Sequence, residues 1–268
     1  MATASHAISP VESIKPPNPI TICLKEAKYE FLKNLRIPMY SVSTMVLPIM
    51  FYVLFGLVMG RQMIGGVSMS AYLIPAYGTF GVMGASLFGT AASLASERGL
   101  GWLQVKKASP MPPFAYFFAK VTMSVVFSTV DVLLLLVLGM TFGGVHLPAV
   151  VTAKLILTLV AGSLPFCAMG LAIGYFAGPT SAPAFINIFY LPMSFCSGLW
   201  IPFMFLPKFI QKIAVLLPPY HLSQLAFRLV GTSNGQSQVA HWESLIGFAM
   251  ICLGIAWVGH LRDQKANG

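Results

Sequence analysis

Few residues in this chain could do chemistry, and their spacing excludes most of it. His6, His146, His221, His241 and His260 stand far apart, and Cys23, Cys167, Cys196 and Cys252 are as scattered. No pair has metal-ligand spacing or suggests a disulfide framework. The cysteines read as small buried hydrophobes. His221 and His241 could face each other, but read as plain interfacial side chains. The sequence contains no GxxxxGK[ST] phosphate cradle, no HExxH and no Gly-x-Ser-x-Gly elbow. The expectation is a chain with no catalytic residue, no metal and no cofactor of its own. Two places remain. Asp131 is the one acid inside a long apolar run, where a charge is costly and by default marks function. Lys154 lies in the next apolar run. Counted from the turn between them at 1.5 Å per residue, their depths differ by about 7 Å, so an Asp131–Lys154 ion pair is expected, serving as a helix clamp rather than in transport chemistry. The second place is the short polar stretch Ser96–Pro113, SERGLGWLQVKKASPMPP, which carries Glu97, Arg98, Gly99 and Trp102. It offers Leu100, Leu103 and Val105 against Arg98, Gln104, Lys106 and Lys107, and prolines close it.

The elements that position these residues follow from composition. Of 268 residues, 57% are hydrophobic and 9% charged. A soluble domain carries about 25% charged residues, so this chain could not cover itself with a water-facing surface. An all-α polytopic membrane protein is expected, with spans near 38–60, 72–95, 114–140, 149–176, 183–200 and 243–260. The second span is rich in small residues (Gly78, Gly81, Gly84, Ala85, Gly89), as is the Gly170–Gly174 pair of the fourth, which lets helices approach closely in lipid. Residues 1–20 lack a signal-peptide core and read as a disordered cytoplasmic tail. Residues 21–37 read as a basic amphipathic helix at the membrane interface, with Ile22, Leu24, Ala27, Phe31, Leu32 and Leu35 near one face. Between residues 201 and 242, Pro202, Pro207 and Pro218 cut the chain into pieces too short to span, which reads as an outer re-entrant region. Residues 261–268 form a short polar tail. The +9 net charge suggests membrane sidedness rather than nucleic acid. With the N-terminus inside, eleven of the Lys and Arg residues fall inside and five outside, which puts both termini and Ser96–Pro113 in the cytoplasm.

The order of parts resembles the membrane subunit of a bacterial type-2 ABC exporter. The matching residues are the basic lead Lys25–Arg36, Glu97-Arg98-Gly99 with Pro110, the stretch Leu191–Gly198, the pairs Ile201-Pro202, Leu206-Pro207 and Leu217-Pro218, and Arg228. The resemblance covers nearly the whole chain from residue 21. It implies a permease that pairs with a second copy and docks two cytosolic ABC ATPase subunits, which bind the ATP and magnesium. It implies that the segment after Glu97-Arg98 is a coupling helix seated in the ATPase, and that the outer region around Gly198, Pro202, Pro207, Pro218 and Arg228 caps the exit path. Many relatives have Gly-Thr shortly after the Glu-Arg pair. Here Gly99-Leu100-Gly101-Trp102 stands instead, so the contact surface is specialised. The expected cargo is a lipophilic small molecule or lipid, moved outward across the cytoplasmic membrane. The alternative is a secondary transporter or channel without an ATPase, but such proteins usually carry repeats and several intramembrane ionisable groups.

Overall fold

The computed structural model describes residues 18–36, 42–109, 112–232 and 235–267. The predicted tail up to residue 17 and the opening of the first predicted span lie outside them. Helix α1 (Pro19–Leu35) starts where the Asn18 side chain accepts from the Ile20 amide at 3.1 Å, with Pro at the first turn. Helix α2 (Thr44–Leu57) is apolar but short for a crossing. A hairpin of two short strands, β1 (Met63–Ile64) and β2 (Val67–Ser68), follows. Its turn is Gly65-Gly66, both at positive φ (57° and 87°), the conformation that a two-residue hairpin requires. Then come α3 (Met69–Gly99), α4 (Trp102–Ala108), α5 (Pro113–Thr141), α6 (Ala149–Phe176), α7 (Ala182–Cys196), α8 (Lys208–Ala214), α9 (Pro218–Val230) and α10 (Gln238–Asn267).

Among the described residues, four helices are long and apolar enough to cross a membrane: α3, α5, α6 and α10. They become five if α8 and α9, bent by 91°, count as one broken span. The chain is an all-α polytopic membrane protein. Helix α3 is its hub. Every side chain from Met69 to Leu87 is buried, as expected of a helix apolar all round. Helices α5, α6 and α9 pack on α3, α1 lies along α5, and α10 lies along α6. Small residues make the close contacts. A Cβ on Gly170 of α6 would fall 1.8 Å from Thr90 Oγ1 of α3. At that level α3 departs from regular geometry, because Phe88–Ala92 forms a wide, π-type turn. Aromatic rings fill the centre: Phe80 stacks on Tyr190 with centroids 4.7 Å apart, and Phe51 meets Trp200 at 5.1 Å. Ile246, Met250, Ile251 and Trp257 of α10 are exposed, giving a surface suited to lipid.

One expectation about segment ends needs correction. The last helix does not stop at residue 260. It starts at Gln238 and runs through the polar tail to Asn267, because Asp263 in that tail is held by Arg98 (2.9 Å). In the proline-rich region Pro202, Pro207 and Pro218 each stand at the start of a short element. Gly198 ends α7 at φ 77°, where its Cβ position lies 3.1 Å from the Phe203 backbone. Pro202 leads into a single 3-10 turn (Phe203–Phe205), Pro207 precedes α8, and Pro218 opens α9. Arg228 is exposed and donates to the Gln236 carbonyl at 3.2 Å.

Candidate functional site

The turn after α3 is made by Gly101, whose φ of 74° only glycine adopts freely, and it lets α4 fold back beside α5. Gly99 lies against the α6–α7 connection, with its Cβ position 2.0 Å from Pro179 Cγ, so a side chain there would drive the two apart. The amphipathic pattern of α4 differs from the expected one. Leu103 is buried, but Leu100, Trp102 and Val105 are 69%, 56% and 60% exposed. An apolar patch therefore faces outward at this end of the bundle.

Behind the patch lies a buried ionic cluster. Lys120 of α5 is 1% exposed. Its ammonium donates to Glu30 of α1 at 2.6 Å, Glu97 of α3 at 2.9 Å and the Ser93 hydroxyl at 2.5 Å. Lys33 joins the same carboxylates, at 2.8 Å to Glu30 and 2.5 Å to Glu97. Ser93 donates to Glu30 at 2.7 Å, and the Tyr116 hydroxyl donates to Glu97 at 2.7 Å. Lys106 of α4 pairs with Glu26 of α1 and lies 3.8 Å from Glu97. Charges balance, with Glu26, Glu30 and Glu97 against Lys33, Lys106 and Lys120. Buried charges need such pairing. Burial works against the charged form of Glu30, but Lys120 and Lys33 outweigh it and hold its carboxyl well below the usual range. Burial likewise opposes charge on Lys33, and Glu30 and Glu97 overcome it, so its ammonium titrates above its ordinary value. A pocket of about 370 Å³ opens beside the cluster, between α1 and the α3–α4 corner, with Tyr29, Lys33, Glu97, Leu100 and Trp102 on its wall.

The cluster also gives α1 an inward, partly charged face. The helix buries Ala27, Glu30 and Asn34 and exposes Ile20, Leu24, Tyr29 and Leu35. The acid turns inward because the Lys120 ammonium waits there. Glu97 and Arg98, expected to couple to the ATPase, are both bonded within the chain. Arg98 pairs with Asp263, donates to the Gly174 carbonyl at 3.0 Å and lies over the Tyr175 ring. Trp102 and its neighbours are what an outside partner would meet. Glu30 and Lys120, which carry the cluster, were not singled out by sequence. The only signal was a lysine six residues into a predicted span.

The Asp131–Lys154 pair does not form. Asp131 is fully enclosed, and neither carboxyl oxygen has a hydrogen-bond partner. Lys154 is exposed beside Thr158, Leu225 and Trp242. The depth arithmetic fixed height along the helices but not rotation about them, and Asp131 faces α3. At the opposite end of the bundle, His221 of α9 and His241 of α10 do meet, Nδ1 to Nδ1 at 2.8 Å. His221 Nε2 lies 2.9 Å from the Val215 carbonyl, which only accepts, so this nitrogen carries the hydrogen and Nδ1 accepts from His241 when both rings are neutral. No group of three metal-ligating side chains occurs among the described residues.

With this geometry in place, comparison with known proteins is decisive. Residues 25–228 match the family model described as ABC-2 type transporter. The chain belongs to that family. It is also similar to the transport permease YvfS of Bacillus subtilis (strain 168), itself named only provisionally. The two are 25% identical over 211 residues, 79% of this chain and 86% of the relative. The protein is thus an ABC-2 permease subunit, and the family implies an ABC ATPase partner. The α3–α4 corner joins an exposed apolar patch to a buried ionic network that ties α1, α3, α4 and α5 together.

Proposed function

We propose that this permease is the membrane subunit of an ATP-driven exporter. It moves a lipophilic small molecule or lipid outward across the bacterial cytoplasmic (inner) membrane. A separate cytosolic ATPase subunit binds ATP and magnesium and supplies the energy, and this chain catalyses no reaction itself. Two copies pair, most simply as a homodimer. Six segments cross the membrane, with α2 and α7 completing the set, and both termini lie in the cytoplasm.

One observation carries the reading. The α3–α4 corner presents Leu100, Trp102 and Val105 outward, and the inner side of α4 is tied through Lys106 to Glu26 and the Glu97 cluster. A partner seated on that patch pushes on α3 directly, since α3 ends at Gly99, and on α1 and α5 through the ion pairs. The apolar groove lined by Phe176, Phe185, Phe189, Met193 and Phe248, about 430 Å³, supports a lipophilic cargo.

The test is co-expression with an ABC ATPase subunit. The wild-type permease is expected to co-purify with it. Replacing Trp102 and Val105 together by alanine is expected to abolish association while the permease still folds. Full transport by the permease alone, without ATP, would overturn the reading in favour of a secondary transporter.

A further inference from the structure

Asp131 stands in the middle of α5 with no donor, cation or hydroxyl bonded to either carboxyl oxygen. Its Oδ2 presses on the α3 backbone, since a Cβ on Gly81 would fall 1.6 Å from it. That contact leaves no room for a hydrated metal ion. An ionised carboxylate enclosed in this way, without a counter-charge, is strongly disfavoured, and such a group neutralises instead. The ligand that fits without any added volume is a proton.

The surroundings give the proton a route. Asp131, Ser128, Ser124 and Lys120 follow one another at three- and four-residue spacing, so they share one face of α5. All four are buried. The Ser128 hydroxyl, like the carboxyl, has no hydrogen-bond partner. The Cys167 thiol of α6 lies beside both Ser124 and Ser86 of α3. Lys120 then joins the ionic cluster, about 16 Å along the helix from Asp131 at 1.5 Å per residue. This is a polar seam between α3 and α5 that begins at the cluster and ends at the acid. The titratable groups around it are few. Tyr190 of α7 donates its hydroxyl to the Phe80 carbonyl at 3.2 Å, and Tyr52 of α2 donates to the Ser70 carbonyl at 3.1 Å. Cys167 comes from α6, and α3 presents Gly81, the hydroxyls of Ser86 and Thr90 and, at the cluster, Ser93 and Glu97. Helix α1 contributes Glu30 and Lys33 at the cluster only.

We propose that Asp131 is an intramembrane proton-binding site, loaded and emptied along Ser128 and Ser124 from the Lys120 end of the bundle. On release the carboxyl O–H bond breaks, its electron pair stays on the carboxylate, and the proton passes to water admitted along the seam. The neutral acid can lie against Gly81. The carboxylate needs water, so emptying the site parts α3 from α5. The permease then moves between a closed, protonated seam and an open, hydrated one. This holds whether or not an ATPase drives transport.

The test uses the full-length permease in liposomes and a lipophilic carbodiimide, which reacts with protonated carboxyls in apolar surroundings. Modification is read peptide by peptide by mass spectrometry. Asp131 is expected to be modified at neutral pH, with a yield that falls about tenfold per pH unit above its titration midpoint. The fall is expected when the compartment on the Glu97 side is made alkaline, and not when the opposite one is. Sensitivity to the opposite side alone, or to neither, overturns the proposal. If the reagent does not reach Asp131, the infrared difference between wild type and Asp131→Asn decides. A carboxylic-acid carbonyl band upholds the proposal, and a carboxylate pair of bands overturns it.

Discussion

Replacing Lys120 by methionine tests whether the ionic cluster holds this end of the bundle together. The side chain keeps most of its length and loses its charge. Glu30 and Glu97, with side chains 3% and 10% exposed, then face each other with Lys33, itself 37% exposed, as the one cation bonded to both, and with Lys106 3.8 Å from Glu97. Stripping one partner from a buried pair costs about 3–5 kcal/mol. At about 1.4 kcal/mol per decade, that is roughly two to four decades in the folding equilibrium. The assay is reversible unfolding in mixed micelles, followed by circular dichroism. The double variant Lys120→Met, Glu30→Gln restores the charge balance. It is expected to be more stable than the sum of its single losses by at least about 1 kcal/mol. A Lys120→Met permease within about 0.5 kcal/mol of wild type, or a strictly additive double variant, would refute the reasoning.

Three further outcomes are expected. Two groups on α1 itself set pH limits on the hold of the cluster. Glu30 titrates below its ordinary 4.5, so its contribution is present above that value and is lost as pH falls through the lower folded one. Lys33 titrates above its ordinary 10.5, so its contribution is present below 10.5 and is lost as pH rises through the higher folded one. Spin labels on α1 and α5 should report an unchanged distance from pH 4.5 up to neutral pH. Arg98→Gln should remove a charge-assisted tie worth about 1.5–3 kcal/mol, read as faster hydrogen exchange in the last turns of α10. Gly170→Ala should cost about 1–3 kcal/mol by overpacking against Thr90, and adding Thr90→Ala should return most of it, measured by thermal unfolding in micelles.

The long helices were legible because each is continuous and apolar. Helix α5 runs Pro113–Thr141 where a span at 114–140 was expected, and α6 runs Ala149–Phe176 with the expected bounds. The ends of α10 were not, because the tail is held helical by Arg98, 165 positions away. The site was legible in place but not in role. Ser96–Pro113 stood out as polar between apolar runs, and it does form the corner at α4. What Glu97 touches could not be read, since its partners lie 64 and 23 positions away on other helices. Nor could the rotation of α5, which turns Asp131 to Gly81 and away from Lys154. Spacing gives the neighbours along one helix, and only packing gives those across two.

The wide turn at Phe88–Ala92 is a length of chain held in reserve. A π-type turn takes up one more residue than an α turn, so α3 carries slack between its buried upper half and its last two turns. If that slack were drawn out into regular helix, everything below would swing by about 100° about the axis. Glu97 would leave Lys120, and Arg98 would leave Asp263. The salt bridges at the foot of α3 therefore act as a ratchet pawl on its winding. They hold the corner in its present helical register, and any force strong enough to release them would be delivered as rotation.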